Sequence, residues 1–203
     1  MDISVIGSGH VGLVTGACFA DLGHRVLMVD HDRKKIALLK SGKMPFYEPG
    51  LEELVHRGVV EGRLRFTTST AEGVQRGTVL FLCVGTPARD NGEADLTAVE
   101  EVVRDIAKAM RSYRLIVGKS TVPVQTGEWI GRILRQSVRR GVPFDVASNP
   151  EFLREGQALQ DFLHPDRIVI GVESKRAKEL LLALYKPLSA PTVVTDVKSA
   201  ELI

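Results

Sequence analysis

The chain has 203 residues, of which 44% are hydrophobic and 26% are charged, a balance that suits a globular protein with a buried core. The net charge is +2 and no apolar run approaches the roughly 18 residues of a membrane-spanning helix, so we expect neither nucleic acid nor a membrane as a partner. The two cysteines and five histidines have neither disulfide nor metal-ligand spacing, which predicts a cytoplasmic protein without a metal site.

The first thirty residues predict a βαβ unit. Residues 3–6 form a short apolar run, residues 7–12 have the sequence Gly-Ser-Gly-His-Val-Gly, and residues 13–22 carry apolar side chains at helical spacing. A second apolar run, over residues 25–30, ends in Asp30. A strand, a glycine loop, a helix, a second strand and an acid in this order are typical of a dinucleotide-binding site.

The glycines and the acid of this unit each match a requirement of dinucleotide binding. Gly7 can adopt a tight turn, Gly9 lacks the Cβ that would hold a diphosphate away, and Gly12 lets the helix pack closely on the strand. The helix N-terminus adds free N–H groups and a positive dipole end. Asp30 is placed to accept hydrogen bonds from the adenosine ribose, and its charge disfavours a 2′-phosphate. The unit therefore predicts NAD rather than NADP, although the basic residues 33–35 weaken that exclusion.

Helices and strands alternate along the rest of the chain. Helices are predicted over residues 31–41, 51–58, 70–76, 96–110, 125–140, 157–163 and 175–185, and a last one begins at residue 197 with Asp196 as its N-cap. Strands are predicted over residues 64–67, 78–84, 114–118, 144–148, 167–171 and 192–195. This alternation predicts an α/β fold with a doubly wound, mainly parallel Rossmann-type sheet and helices on both faces.

Three of these strands end in short polar sequences, at residues 85–87, 120–123 and 149–151. Turn chemistry alone accounts for any one of them. Because parallel strands end at one edge of a sheet, we expect all three to share a ligand cleft with the glycine loop. Glu151 and Glu155 are either solvated loop charges or acids for proton transfer, and spacing alone does not decide between these. Cys18 and Cys83 are interpreted as small core residues.

Six short motifs occur in order along the chain, at residues 7–16, 47–51, 84–87, 120–123, 149–156 and 166–171. Together they resemble the UDP-glucose/GDP-mannose dehydrogenase family. The resemblance covers the whole chain and implies an NAD-binding domain over residues 1–195 and the start of a central connecting helix over 196–203. It also implies oxidation of the C6 alcohol of a sugar nucleotide, UDP-glucose in the first place, to a carboxylate with two NAD and one water.

The resemblance implies roles for individual residues as well. The cofactor-binding residues would be Gly7, Gly9, His10, Val11, Gly12, Asp30, Lys35, Thr86, Thr121 and Glu155. The residues that border the substrate sugar would be Glu151, Phe152, Leu153, Arg154 and Glu155. Thr121, Glu151 and Glu155 would be catalytic, with Thr121 holding the hydrolytic water, Glu155 as its base and Glu151 as a second acid or base.

Two parts of the family pattern have no counterpart in these 203 residues. The family's nucleophilic cysteine lies in a glycine-rich sequence that is absent here, and the C-terminal sugar-nucleotide domain is absent too. We therefore expect this chain to bind NAD without turnover, and a homodimer only for a full-length enzyme. His10 also departs from the tyrosine that is usual in the family, a mild change in a loop that contacts NAD through its backbone.

Other functions stay open on the sequence alone. The substrate of the same reaction is alternatively GDP-mannose or another UDP-hexose, because the base-recognising contacts of the family lie outside this sequence. A stand-alone NAD-binding regulatory module is a second alternative. A β-hydroxyacid dehydrogenase would share the glycine loop, but residues 149–156 speak against it because that class has a different glycine-rich substrate motif.

Overall fold

Eight strands and nine helices follow one another along residues 1–203, all of which the computed structural model describes. The strands are β1 Asp2–Ile6, β2 Arg25–Val29, β3 Leu64–Thr67, β4 Val79–Leu82, β5 Arg114–Gly118, β6 Phe144–Ser148, β7 Ile168–Val172 and β8 Thr192–Thr195. The helices are α1 His10–Asp21, α2 Arg33–Lys40, α3 Leu51–Val60, α4 Thr70–Arg76, α5 Thr97–Ala109, α6 Thr126–Ser137, α7 Ala158–Leu163, α8 Lys175–Tyr185 and α9 Val197–Leu202. Every predicted strand and helix is present, and the differences are at their ends.

All eight strands form a single sheet in the order β3-β2-β1-β4-β5-β6-β7-β8. Neighbouring strands are parallel except for β6 and β7, which pair antiparallel through Ala147–Val172 and Ser148–Gly171. The chain winds outward from β1 to β3 on one side and resumes at β4 on the other, so the order reverses between β1 and β4. The predicted doubly wound, mainly parallel fold is confirmed, and its topological switch point lies where such sheets bind ligands.

The strands are apolar on both sides because helices cover both faces of the sheet. Alternate residues of β4 illustrate this, since Val79 and Phe81 belong to one buried cluster whereas Leu80 and Leu82 belong to the other. Helices α1, α2, α3, α7 and α8 contribute to the first cluster, and α4, α5 and α6 to the second. The first face holds an aromatic group in which Phe19 lies 5.1 Å from the ring of Phe81 and 5.2 Å from that of Phe162.

Local hydrogen bonds explain where several helices begin. Helix α2 starts later than predicted because the Asp32 carboxylate accepts from the backbone N–H groups of Lys34 and Lys35 and so acts as the N-cap. The predicted N-cap of α9 is confirmed, with Asp196 accepting from the N–H of Ser199 at 2.9 Å. None of the helices combines the length with the apolar character that a membrane crossing requires.

Candidate active site

The ends of four parallel strands bring the predicted site segments to one edge of the sheet. The glycine loop follows β1, and the polar segments after β4, β5 and β6 lie beside it in that order. Hydrogen bonds join these segments directly, from Thr86 Oγ1 to the carbonyl of Thr121 at 3.0 Å and from Ser120 Oγ to that of Val84 at 2.8 Å. The predicted common edge is confirmed, and it lies at the switch point between β1 and β4.

The absence of a side chain serves a different purpose at each of the three loop glycines. Gly7 has a φ of +102°, and a Cβ there would lie 2.3 Å from the carbonyl oxygen of Cys83. A Cβ on Gly12 would lie 1.9 Å from the carbonyl oxygen of Gly7. Gly9, in contrast, has an ordinary φ of −70°, and no atom lies within 4 Å of the position that a Cβ would take. The fold therefore requires Gly7 and Gly12, whereas Gly9 leaves open space at the mouth of the crevice.

The N-terminus of α1 faces this open space without a side-chain cap. Its N-cap is Gly9, which has no side chain to accept from the first N–H groups, and its first turn contains no acidic residue. Uncapped N–H groups and the positive end of the helix dipole favour an anion at this position. The loop geometry thus fits the diphosphate of a dinucleotide, which needs both backbone donors and close access.

Asp30 has a second role that the sequence did not reveal. Its Oδ2 accepts from Ser8, at 2.8 Å from the backbone nitrogen and 2.6 Å from Oγ, and its Oδ1 accepts from the N–H of Asp32 at 3.0 Å. Burial acts to raise the pKa of this carboxyl, but these hydrogen bonds and the Lys35 ammonium at 3.4 Å outweigh it and hold the pKa below its usual range. Asp30 is therefore an ionised group that holds the glycine loop and borders the site.

Residues 151–155 are held by a contact among themselves and by contacts to Asp161 in α7 and to Arg167. Glu151 Oε2 accepts from the N–H of Leu153 at 2.6 Å, and the Arg154 guanidinium makes two hydrogen bonds to Asp161 at 3.1 and 2.7 Å. The ring of Phe152 lies against Arg167, whose guanidinium carbon is 4.5 Å from the ring centroid. The side chain of Glu155 is exposed, so of the two predicted acids it is the one whose carboxylate faces solvent without an internal partner.

The structure brings some predicted site residues together and leaves others apart. Thr86 contacts Thr121, Lys35 contacts Asp30, and His10 contacts residues of the connection before α3. Thr121 and Glu155 make no hydrogen bond to one another. The roles of these residues toward cofactor and substrate stay predictions.

A buried lysine at the same edge was not predicted. Lys119 follows β5, is 4% exposed, and donates from Nζ to Asn149 Oδ1 at 3.1 Å. Burial lowers the pKa of this ammonium. Asn149 Oδ1 also accepts from the Tyr185 hydroxyl, and Asn149 Nδ2 donates to the carbonyl of Val169 at 2.7 Å. The only sequence signal for this site is a lysine directly after a buried strand, and a lysine there usually lies at the surface.

The two cysteines are core residues, as predicted. Cys18 is fully buried on the inner face of α1, and Cys83 is 8% exposed at the end of β4. Burial raises the pKa of the Cys83 thiol to about 12, and it raises that of Cys18 as well. Because the thiolate is the nucleophile, neither group is available for covalent chemistry near neutral pH.

This burial predicts slow alkylation of the folded chain. Iodoacetamide at neutral pH should leave Cys18 and Cys83 unmodified in the native state, and both should react once urea unfolds the chain. Mass spectrometry of the intact protein distinguishes the two results. Rapid modification of either thiol without denaturant would contradict the assignment of these residues to the core.

Comparisons with known proteins agree with this geometry. A family described as "UDP-glucose/GDP-mannose dehydrogenase family, NAD binding domain" matches residues 1–189. The UDP-glucose 6-dehydrogenase of Rhizobium meliloti is 47% identical over 209 residues, which cover 100% of this chain and 48% of that protein. The chain therefore spans about half the length of the curated relatives it matches.

Solved structures give the same result. A UDP-glucose dehydrogenase from the hyperthermophilic archaeon Pyrobaculum islandicum has a TM-score of 0.96 and 45% identity, with 100% of this chain and 48% of that chain covered. A ternary complex of a GDP-mannose dehydrogenase from Pseudomonas aeruginosa has a TM-score of 0.94 and 40% identity, again with 100% and 48% covered. Each match lies over the complete sheet and its edge loops.

Proposed function

The chain belongs to the UDP-glucose/GDP-mannose dehydrogenase family, as an NAD-binding domain, and we propose that it serves the oxidation of the C6 alcohol of UDP-glucose to the carboxylate. The cofactor part of this proposal is carried by the open space at Gly9 beside the uncapped N-terminus of α1, which fits the NAD diphosphate. The substrate part is supported by the similarity to the UDP-glucose 6-dehydrogenase of Rhizobium meliloti. NAD, when bound at the glycine loop, would supply the hydride acceptor for this oxidation. The protein's own residues bind, orient and move protons around that transfer.

The ribose end of the cofactor is assigned to Asp30. Its Oδ1 accepts only one hydrogen bond, from Asp32, and so retains a lone pair for a ribose hydroxyl. The carboxylate is ionised, which favours NAD over a nucleotide with a 2′-phosphate. Lys35, 3.4 Å from the same carboxylate, is assigned to the adenosine side.

The hydrolytic half of the reaction is assigned to Thr121 and Glu155. Hydrolysis of an acyl intermediate needs a positioned water and a base, and a hydroxyl with a nearby carboxylate supplies both. Glu155 is proposed as the base because its side chain is exposed and has no internal partner, whereas Glu151 is already engaged by the N–H of Leu153. Glu151 is proposed as a second acid or base, and residues 151–155 are proposed to border the sugar.

A second candidate substrate is GDP-mannose. The similarity to the Pseudomonas aeruginosa GDP-mannose dehydrogenase, at a TM-score of 0.94, favours it as the alternative. Either sugar nucleotide suits a cytoplasmic protein, a location that two unpaired cysteines also support. A homodimer of the full-length enzyme stays a prediction.

Calorimetry and absorbance together test the proposal on this chain. We expect NAD to bind with a measurable heat, and we expect no NADH to form when UDP-glucose or GDP-mannose is added. The buried thiols predict in addition that no carboxylate forms, since neither Cys18 nor Cys83 can form the acyl intermediate of the second oxidation. Absence of NAD binding would overturn the cofactor site, and NADH formation would overturn the expectation that this chain binds NAD without turnover.

A further inference from the structure

Glu48 is a buried carboxylate that the proposed reaction does not use. It lies in the turn-rich connection between α2 and α3, and its side chain is 1% exposed. Three donors from separate parts of the chain converge on it, namely His10 Nε2 at 2.7 Å, the N–H of Gly156 at 2.8 Å and the N–H of Ala158 at 3.0 Å. His10 and Gly156 take Oε2, and Ala158 takes Oε1.

The three donors keep this carboxylate ionised although it is buried. Burial acts to raise the pKa of Glu48, but the hydrogen bonds from His10, Gly156 and Ala158 outweigh it and lower the pKa below its usual range. A buried charge with its hydrogen bonds satisfied is costly to disturb, since removal of one donor leaves the carboxylate short of a partner. The contact is therefore a buried hydrogen-bonded link between separate parts of the chain and not a solvated surface pair.

The donors to this buried carboxylate lie next to residues of the proposed site. His10 is the first residue of α1 and directly follows Gly9, so its backbone lies where the diphosphate is proposed to bind. Its ring also packs against Phe46, with 5.1 Å between the ring centroids. Gly156 directly follows Glu155, the proposed base, and its φ of +83° turns the chain toward α7. A single carboxylate thus joins the cofactor loop to the segment that carries the base.

We propose that Glu48 is a positioning residue that couples occupation of the glycine loop to the placement of residues 155–158. When a diphosphate binds at the N-terminus of α1, the displacement of His10 is transmitted through the Glu48 carboxylate to the N–H groups of Gly156 and Ala158. The inference rests on the proposed function, because it assigns the diphosphate to the glycine loop and the base to Glu155.

Nuclear magnetic resonance with ADP as the probe tests this coupling in the 203-residue chain. ADP carries the adenosine and diphosphate but no nicotinamide, so it offers only the part of the cofactor that the glycine loop and Asp30 are proposed to bind. At saturating ADP, we expect the backbone amide signals of Gly156 and Ala158 to shift in the wild-type chain. In the His10→Phe variant, which keeps a ring against Phe46 but cannot donate to Glu48, these two shifts should be lost although ADP is bound.

Asp161→Asn is the matched control. Asp161 holds Arg154 in the same segment but has no contact with the glycine loop, so its variant should keep the response of Gly156 and Ala158 to ADP. Glu48→Gln, of the same shape without the charge, should lose the response as His10→Phe does.

The outcomes separate this inference from the proposed function. If ADP binds and the two signals do not shift in the wild-type chain, or still shift fully in His10→Phe, the coupling is wrong and the cofactor site stands. If ADP and NAD both fail to bind, the proposed cofactor site fails and the coupling fails with it.

Discussion

Replacement of Gly9 by alanine should leave the domain folded and lower its NAD affinity by roughly two orders of magnitude, about 2.8 kcal/mol of binding free energy. The backbone at Gly9 has an ordinary φ of −70°, and a Cβ there would meet no protein atom within 4 Å. The folded chain therefore tolerates alanine. The methyl group would instead occupy the space through which the diphosphate approaches the backbone N–H groups of α1.

Gly12→Ala is the informative contrast to this variant. A Cβ at Gly12 would lie 1.9 Å from the carbonyl oxygen of Gly7 and 3.1 Å from the Cβ of Cys83, so α1 would have to move away from β1. We expect the free energy of unfolding to fall by about 3 kcal/mol, the upper end of the usual range for overpacking a core. Urea denaturation measures the stability of both variants, and calorimetry with NAD measures the affinity of the one that folds.

Gly9→Ala and Gly12→Ala together test whether the diphosphate binds at the glycine loop. If Gly9→Ala binds NAD as tightly as the wild-type chain, the diphosphate does not lie on this loop. If Gly9→Ala unfolds as readily as Gly12→Ala, then the glycine at position 9 serves the fold and not the ligand.

The glycine loop and the common sheet edge were predictable because their signals are local or follow from geometry. The order of strand, glycines and helix occupies consecutive residues, and parallel strands necessarily end on one side of a sheet. Strands such as Leu64–Thr67 and Arg114–Gly118 even have the predicted ends, since turn residues or charges bound them closely. Helix ends were less exact where a cap such as Asp32 decided the first residue.

The polar contacts that fix the site were not predictable from the sequence. Ser8 and Asp30 are 22 residues apart, and Glu48 is 108 residues from Gly156. In isolation, a glutamate between prolines and glycines looks like a solvated loop charge, and a lysine after a strand looks like a surface residue. Only the packing of α7 and Tyr185 over the sheet edge shows that Glu48 and Lys119 are buried.

Asp30→Asn should reduce the preference of the chain for NAD over NADP by at least about tenfold, which corresponds to about 1.4 kcal/mol. The wild-type carboxylate is ionised and is proposed to face the ribose, where it would repel a 2′-phosphate, whereas the Lys35 ammonium beside it would attract one. Removing the negative charge leaves that attraction unopposed. Asparagine can still accept from the backbone N–H of Ser8, so the glycine loop keeps its position.

Asp32→Asn provides the control for net charge. Asp32 lies two residues away and its side chain caps α2, a role that asparagine fills equally well. This variant loses the same unit of charge but keeps the carboxylate that is proposed to face the ribose, so its NAD preference should match that of the wild-type chain. Equal loss of preference in both variants would mean that overall charge, and not the position of Asp30, sets the discrimination.

The lowered pKa of Asp30 predicts that its contribution to the free energy of unfolding is lost as the pH falls. Because the folded-state pKa lies below that of the unfolded chain, near 3.9, the carboxylate stabilises the fold at pH values above that figure. This contribution is lost as the pH falls through the folded-state pKa. Urea denaturation should therefore find the wild-type chain more stable than Asp30→Asn at neutral pH, with the difference shrinking in acid below about pH 4. A difference that stays constant or grows in acid would mean that the Ser8 contacts do not depend on the charge of Asp30.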